Sequence, residues 1–144
     1  MLKRSISICL VAAFCLGTGL VYAFDAVQLQ TFKSTKVCAN CDLSFVNLGQ
    51  TSLYRSNVSN TNFSLAVITR CDAGYAYAVN ANFYGANLAE GKFLSANLTG
   101  ANLAGANLAE AYLGGAILEG ANLSGATWVD GAICKTPSIG TCVK

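Results

Sequence analysis

Few residues here could do chemistry, and their types are restrictive. The 144-residue chain has no His, which excludes a His general base, a His-assisted nucleophile and a His metal ligand. Seven Cys are present, and Cys38-Ala-Asn-Cys41 has the spacing of a redox pair or of half a zinc site. A thioredoxin-like pair needs a βαβ context, which is absent around it. A zinc site needs two more ligands. Glu90, Glu110 and Asp130 recur at a fixed interval, and paired carboxylates are the apparatus of glycoside hydrolysis. Tyr54, Arg55, Tyr75, Lys92 and Tyr112 are of the types that anchor binding surfaces.

Composition narrows the field. Apolar residues make up 53% and charged residues 11%, so the chain is not of the disordered class. A net charge of +2 is too small for a strongly basic nucleic-acid binder. Met1-Leu2-Lys3-Arg4 is a basic head, Ile6 to Tyr22 is uncharged and mostly apolar, and Val21-Tyr22-Ala23 offers small residues at the cleavage positions. Residues 1–23 therefore read as a cleaved secretory signal. Its loss takes Lys3 and Arg4 from nine basic residues, leaving seven against seven acidic ones. Cys38, Cys41, Cys71, Cys134 and Cys142 then remain in an exported chain, where pairing is expected.

The elements that must position these residues follow a period of five. From Cys41 to Lys135 a central apolar residue recurs without a slip, from Leu43 and Leu48 to Leu123, Trp128 and Ile133. Of 19 repeats, 18 have Ala, Gly, Ser, Thr or Cys two positions before the centre, Val46 being the exception. On an α-helix each centre would sit about 140° around from the last. On a flat strand, an odd period would send successive centres to opposite faces. One-sided burial therefore requires a corner in every repeat, and such coils must stack to pair their backbone groups.

The A-(N/D)-L-x-x run, plainest at 101–110 and 121–125, resembles the pentapeptide-repeat proteins over 95 of the 121 mature residues. The flanks KVCANCDLS (36–44) and ATWVDGAICKTPSIGTC (126–142) resemble the opening and closing motifs of an exported branch. The resemblance implies an all-β fold, a right-handed quadrilateral β-helix with four repeats per coil. Positions 20 apart then stack at about 4.8 Å, and the coils span roughly 23 Å. The domain reading is signal 1–23, a short N-terminal helical cap over 24–40, a solenoid over 41–135 and a closing loop over 136–144. In the cap, Asp25 with Gln28 forms a capping-box pattern, and Val27, Leu29, Phe32 and Val37 supply apolar contact. Ala73 and Ala78 are undersized centres in one coil, where Phe93 above could fill the space and a bulge is allowed.

Stacking also sorts the candidate sites. Cys134 and Cys142 lie at the far end of the rod from Cys38 and Cys41, so the four cannot share one ion. The expectation is two local disulfides, Cys38–Cys41 and Cys134–Cys142, with Cys71 a buried free thiol. Gln50, Arg70, Glu90, Glu110 and Asp130 share one column on a convex face with no pocket implied. Tyr54, Arg55, Tyr75, Lys92 and Tyr112 share the adjacent face, with Tyr77 near its far corner. They read as a partner surface, beside the plainer reading that outward tyrosines pack across strands. Phe45 and Leu65 are expected beneath the cap. Asp42, Asn62, Asn82, Asn102 and Asn122 are expected to form a hydrogen-bond ladder.

The functional expectation is an exported non-enzymatic scaffold or protein-interaction module, periplasmic, secreted or in a thylakoid lumen. No catalytic, cofactor or metal residue is assigned, and no cofactor is expected. The partner is an unidentified protein. No nucleic-acid partner and no membrane span after signal cleavage are expected, and the rod is a monomer or an end-to-end dimer. The resemblance also offers mimicry of DNA towards topoisomerases, though members with that role are markedly acidic and the mature charge here is zero. A polysaccharide-active β-helix enzyme is the third reading.

Overall fold

The structure is a computed structural model that describes residues 25–144. The signal reading lies outside the described residues. Among them, no helix is long and apolar enough to cross a membrane.

One helix, α1 (Ala26–Thr35), precedes a continuous coil. Asp25 caps it, accepting from the backbone N–H of Val27 (2.8 Å) and Gln28 (3.1 Å). Gln28 does not close the capping box. Its Oε1 accepts from the Asp42 N–H at 2.6 Å, and the Asp25 N–H bonds the Asp42 carbonyl at 3.3 Å. Both groups tie the helix start to the first coil. Phe32 is fully buried, Leu29 is partly buried, and Val27 and Val37 stay exposed.

Parallel bridges link residues 20 apart, from Val37↔Asn57 to Asn107↔Thr127, so four repeats make each coil. From Cys38 to Leu108 the N–H of each centre bonds a carbonyl of the coil above, as Leu43 N–H to Asn62 O at 2.8 Å. The Asn62 N–H bonds back to Cys41 O at 2.9 Å. Corners are closed by a bond from the next repeat to the previous centre, as Ala66 N–H to Phe63 O at 3.1 Å. The residue between takes a positive φ, 57° at Leu65 and 66° at Gly105, as a type II turn requires at its third position.

The frame is displaced by one repeat from the sequence reading. Lys36–Asn40 already belongs to the coil: Cys38 is a buried centre beneath Val58, and its N–H bonds Asn57 O at 2.9 Å. At the other end, Ile133 is turned outward with 59% exposure and Cys134 is buried instead. The Trp128 N–H bonds Ala132 O at 2.7 Å, so the chain doubles back before another parallel coil can form. The solenoid therefore spans 36–130 rather than 41–135. Periodicity missed the first repeat because Cys38 is not a large centre.

Ala73 and Ala78 are in regular register. Ser52↔Asp72↔Lys92 and Asn57↔Tyr77↔Asn97 continue the ladder, and there is no bulge at this coil. The Phe93 ring lies over Gly91, whose added Cβ would stand 2.6 Å from Cε2. Phe63 and Phe83 stack with centroids 5.1 Å apart. The Asn ladder runs from Asp42 through Asn62 and Asn82 to Asn102, with Nδ2···Oδ1 distances of 3.0–3.1 Å. It stops below Asn122, whose backbone pairs with the closing segment at Ile139.

Candidate protein-interaction surface

The third face carries the centres Leu53, Ala73, Phe93 and Leu113. At its lower end Tyr54 and Tyr75 meet edge to face, with centroids 5.8 Å apart and planes at 82°. The Arg55 guanidinium lies over both rings, 5.3 Å from the Tyr54 centroid and 5.8 Å from that of Tyr75. Gly74 makes this possible: a Cβ there would stand 3.2 Å from Tyr54 Cδ2. Lys36 adds a second cation below, its Nζ donating to Ser52 O at 2.7 Å. Tyr54, Arg55 and Tyr75 thus form one exposed cluster. Lys92 and Tyr112 are bridged neighbours farther up the face, outside that cluster. Tyr77 is exposed on the fourth face.

The acidic column is organised by Arg70. Its Nε and Nη2 donate to the two Glu90 carboxylate oxygens at 2.9 and 3.0 Å. This contact holds the Glu90 carboxyl below the usual range and raises the guanidinium of Arg70. Glu90 is therefore held ionised and exposed, the opposite of what a general acid needs. Asp130 is likewise lowered, first by its bond from Lys144 and then by the Ala132 N–H. Among the described residues, no group of three or more acidic, Cys or His side chains is arranged to hold a metal.

The structure joins Cys38 to Cys41 and Cys134 to Cys142, with Cα atoms 5.4 and 5.0 Å apart. Cys71 is free and buried. Burial, with Asp72 nearby, pushes its thiol up to about 12. Phe45 and Leu65 do not lie beneath α1. They are 51% and 47% exposed on the corner between the first and second faces, with Tyr84 exposed on the first face. Sequence reasoning placed them under cover because they are apolar. Their position at an outward corner was the signal that they are not.

These features define a β-solenoid that turns a corner every five residues and displays side chains on flat faces. The chain belongs to the pentapeptide-repeat family: the model of pentapeptide repeats matches residues 37–70, 66–105 and 96–127. Family members form right-handed quadrilateral β-helices. Among solved structures, the pentapeptide repeat protein Rfr23 from the cyanobacterium Cyanothece 51142 is 32% identical, with a TM-score of 0.54. That match covers 69% of this chain and 82% of Rfr23. HetL, a pentapeptide repeat protein involved in heterocyst differentiation regulation from Nostoc sp. strain PCC 7120, is 27% identical over 67% of this chain and 53% of its own, TM-score 0.42. A pentapeptide repeat protein from the Arabidopsis thaliana thylakoid lumen is 22% identical over 86% of this chain and 92% of its own, TM-score 0.44. None of the curated proteins matches the chain.

Proposed function

We propose that this protein is an exported, non-enzymatic scaffold that holds a protein partner on the Tyr54–Arg55–Tyr75 cluster, with α1 as the cap of its N-terminal end. The carrying observation is the contact itself: the edge-to-face Tyr54–Tyr75 pair with the Arg55 guanidinium over both rings, exposed on one face. Arg55 and Tyr75 stand at left-handed corners, with φ of 54° and 56°, as most corner residues of the coil do, and the column continues through Ser95 to Gly115, with φ of 53° and 68°. Glycine is therefore compatible with these corners. Two tyrosines locked by a guanidinium form a rigid aromatic anchor, the kind that dominates interface energetics. Two disulfides support an oxidising compartment, because such bonds persist outside reducing cytosol. A DNA mimic needs a dense acidic surface, and this face carries Arg55 and Lys92 against the single acid Asp72.

The test uses a variant that removes side chains without straining the backbone. Arg55→Gly with Tyr75→Gly is expected to keep the thermal transition within the equivalent of about 1–2 kcal/mol. The same variant is expected to lose the proteins that the wild type captures from the host envelope. Capture of the same partners by the variant would remove this face from consideration. Intact mass of the native protein should begin at Phe24 with one free thiol; a mass beginning at Met1 with reduced cysteines would end the export reading.

A further inference from the structure

The described residues include two arginines, Arg55 and Arg70, and their guanidinium groups are engaged differently. Arg70 has its fork filled within the molecule, by the two Glu90 oxygens at 2.9 and 3.0 Å. The Arg55 guanidinium makes no hydrogen bond or ion pair among the described residues, where the ion pairs are Arg70–Glu90 and Lys144–Asp130. What Arg55 has instead is orientation. It lies over the Tyr54 and Tyr75 rings, which brace each other edge to face. A guanidinium held over ring faces keeps its N–H fork free for another acceptor. The charges around it are mostly of one sign. Lys36 Nζ stands on Ser52 O, two residues before Tyr54. On the opposite corner of the third face, Gln50 is uncharged and Arg70 follows one coil up. The first acid of that column, Glu90, is a further coil up and already bound by Arg70. Asp72 is the acid of this end, and its Oδ1 accepts from the Gly74 N–H at 3.1 Å.

We infer that the partner held on the third face presents an acidic polypeptide segment, whose Asp or Glu carboxylate takes the open Arg55 fork as Glu90 takes that of Arg70. The inference rests on this face being the partner surface, and it names what the surface recognises. A guanidinium fork matches a carboxylate with two parallel hydrogen bonds. Two rings already restrain Arg55, so less side-chain freedom is lost when the carboxylate arrives. Lys36 and Arg70 attract the same sign of charge and repel a basic partner. Ligands that bind by stacking fit poorly here. A nucleic-acid base or a sugar ring needs an open aromatic face. The two tyrosine planes stand at 82°, and the guanidinium lies over both rings.

The probe is poly-L-glutamate, titrated by calorimetry at low ionic strength into the full oxidised chain and into Arg55→Lys and Lys33→Gln. Arg55→Lys keeps the charge and removes the fork, so general attraction is unchanged and only the paired contact is lost. Lys33→Gln removes a charge from the last turn of α1, away from the cluster. The wild type is expected to bind, Arg55→Lys to bind at least about tenfold more weakly, and Lys33→Gln to change affinity by less than about threefold. Arg55→Lys should also lose the envelope proteins that the wild type captures, and free poly-L-glutamate should displace them from the wild type. A wild type that ignores poly-L-glutamate overturns the inference, as does an Arg55→Lys variant that binds it equally well. So does tighter, Arg55-dependent binding of polygalacturonate or oligothymidylate. If any of these occurs while Arg55→Gly with Tyr75→Gly still abolishes capture, the third face stands as a partner surface and its partner is not acidic polypeptide. If capture survives that double variant, the surface itself falls and this inference falls with it.

Discussion

At the N-terminal end Phe32 of α1 belongs to the same buried cluster as the first centres of the coil. Phe32 is fully buried, and Leu43, Leu48, Leu53 and Val58 around it are at most 3% exposed. At the C-terminal end the segment from Gly131 to Lys144, stapled by Cys134–Cys142, leaves Leu113, Leu118 and Trp128 partly exposed. The difference is one of cross-section. A helix with its side chains is about 10 Å across. A returning strand adds one row of about 4.8 Å and covers only the faces with which it pairs. Sealing a four-sided coil with a strand therefore needs either more chain or another molecule.

The sharpest way to break this comparison is Phe32→Ala. Removing a fully buried aromatic should cost about 3–4 kcal/mol. Urea unfolding followed by amide exchange should show that loss confined to residues 36–58. Equal loosening of 111–130 would mean that the two ends are not independent. A smaller effect is expected at the other end from Cys134→Ser with Cys142→Ser. Closing so short a loop is worth about 2.5 kcal/mol, and the loss should appear in the amides of 121–130. If those amides stay protected, the backbone pairing alone holds the closing segment. The smallest effect is expected between the ends, at the exposed Arg70–Glu90 pair. Glu90→Gln should not move the thermal transition measurably at moderate salt. At low salt the pair's contribution has a definite sign. The Glu90 carboxyl is held below its ordinary value, so the stabilisation is present above the ordinary carboxyl range. It is lost as pH falls through the lowered value. A wild-type minus Glu90→Gln difference that grows on acidification would contradict this.

Much of the architecture was legible before any coordinates. A five-residue spacing of Leu and Phe with small residues two positions earlier can bury one side only by turning a corner per repeat. The columns read from that spacing place Leu43 beneath Phe63 and Leu48 beneath Ile68, as the bridges between their neighbours require. The first repeat was missed because Cys38 is small, and Ile133 was miscounted because pattern cannot register a chain reversal. Phe45 and Leu65 were misplaced for a related reason: hydrophobicity says what a side chain favours, whereas the corner decides where it points. Of the surface residues, the spacing brought Tyr54, Arg55 and Tyr75 to one face, but only the fold separated them from Lys92 and Tyr112.

The sequence by itself determined what is periodic: the inward centres, the small residues under each turn, and the columns 20 apart. Periodicity is a local constraint repeated, and every repeat restates it. The tertiary structure alone decided what happens where repetition stops. There Gln28 leaves its own helix to bind Asp42, the closing segment chooses two faces of four, and Leu113 to Gly115 keep an unpaired edge. Those outcomes depend on contacts between segments far apart in the chain, and no local pattern encodes them.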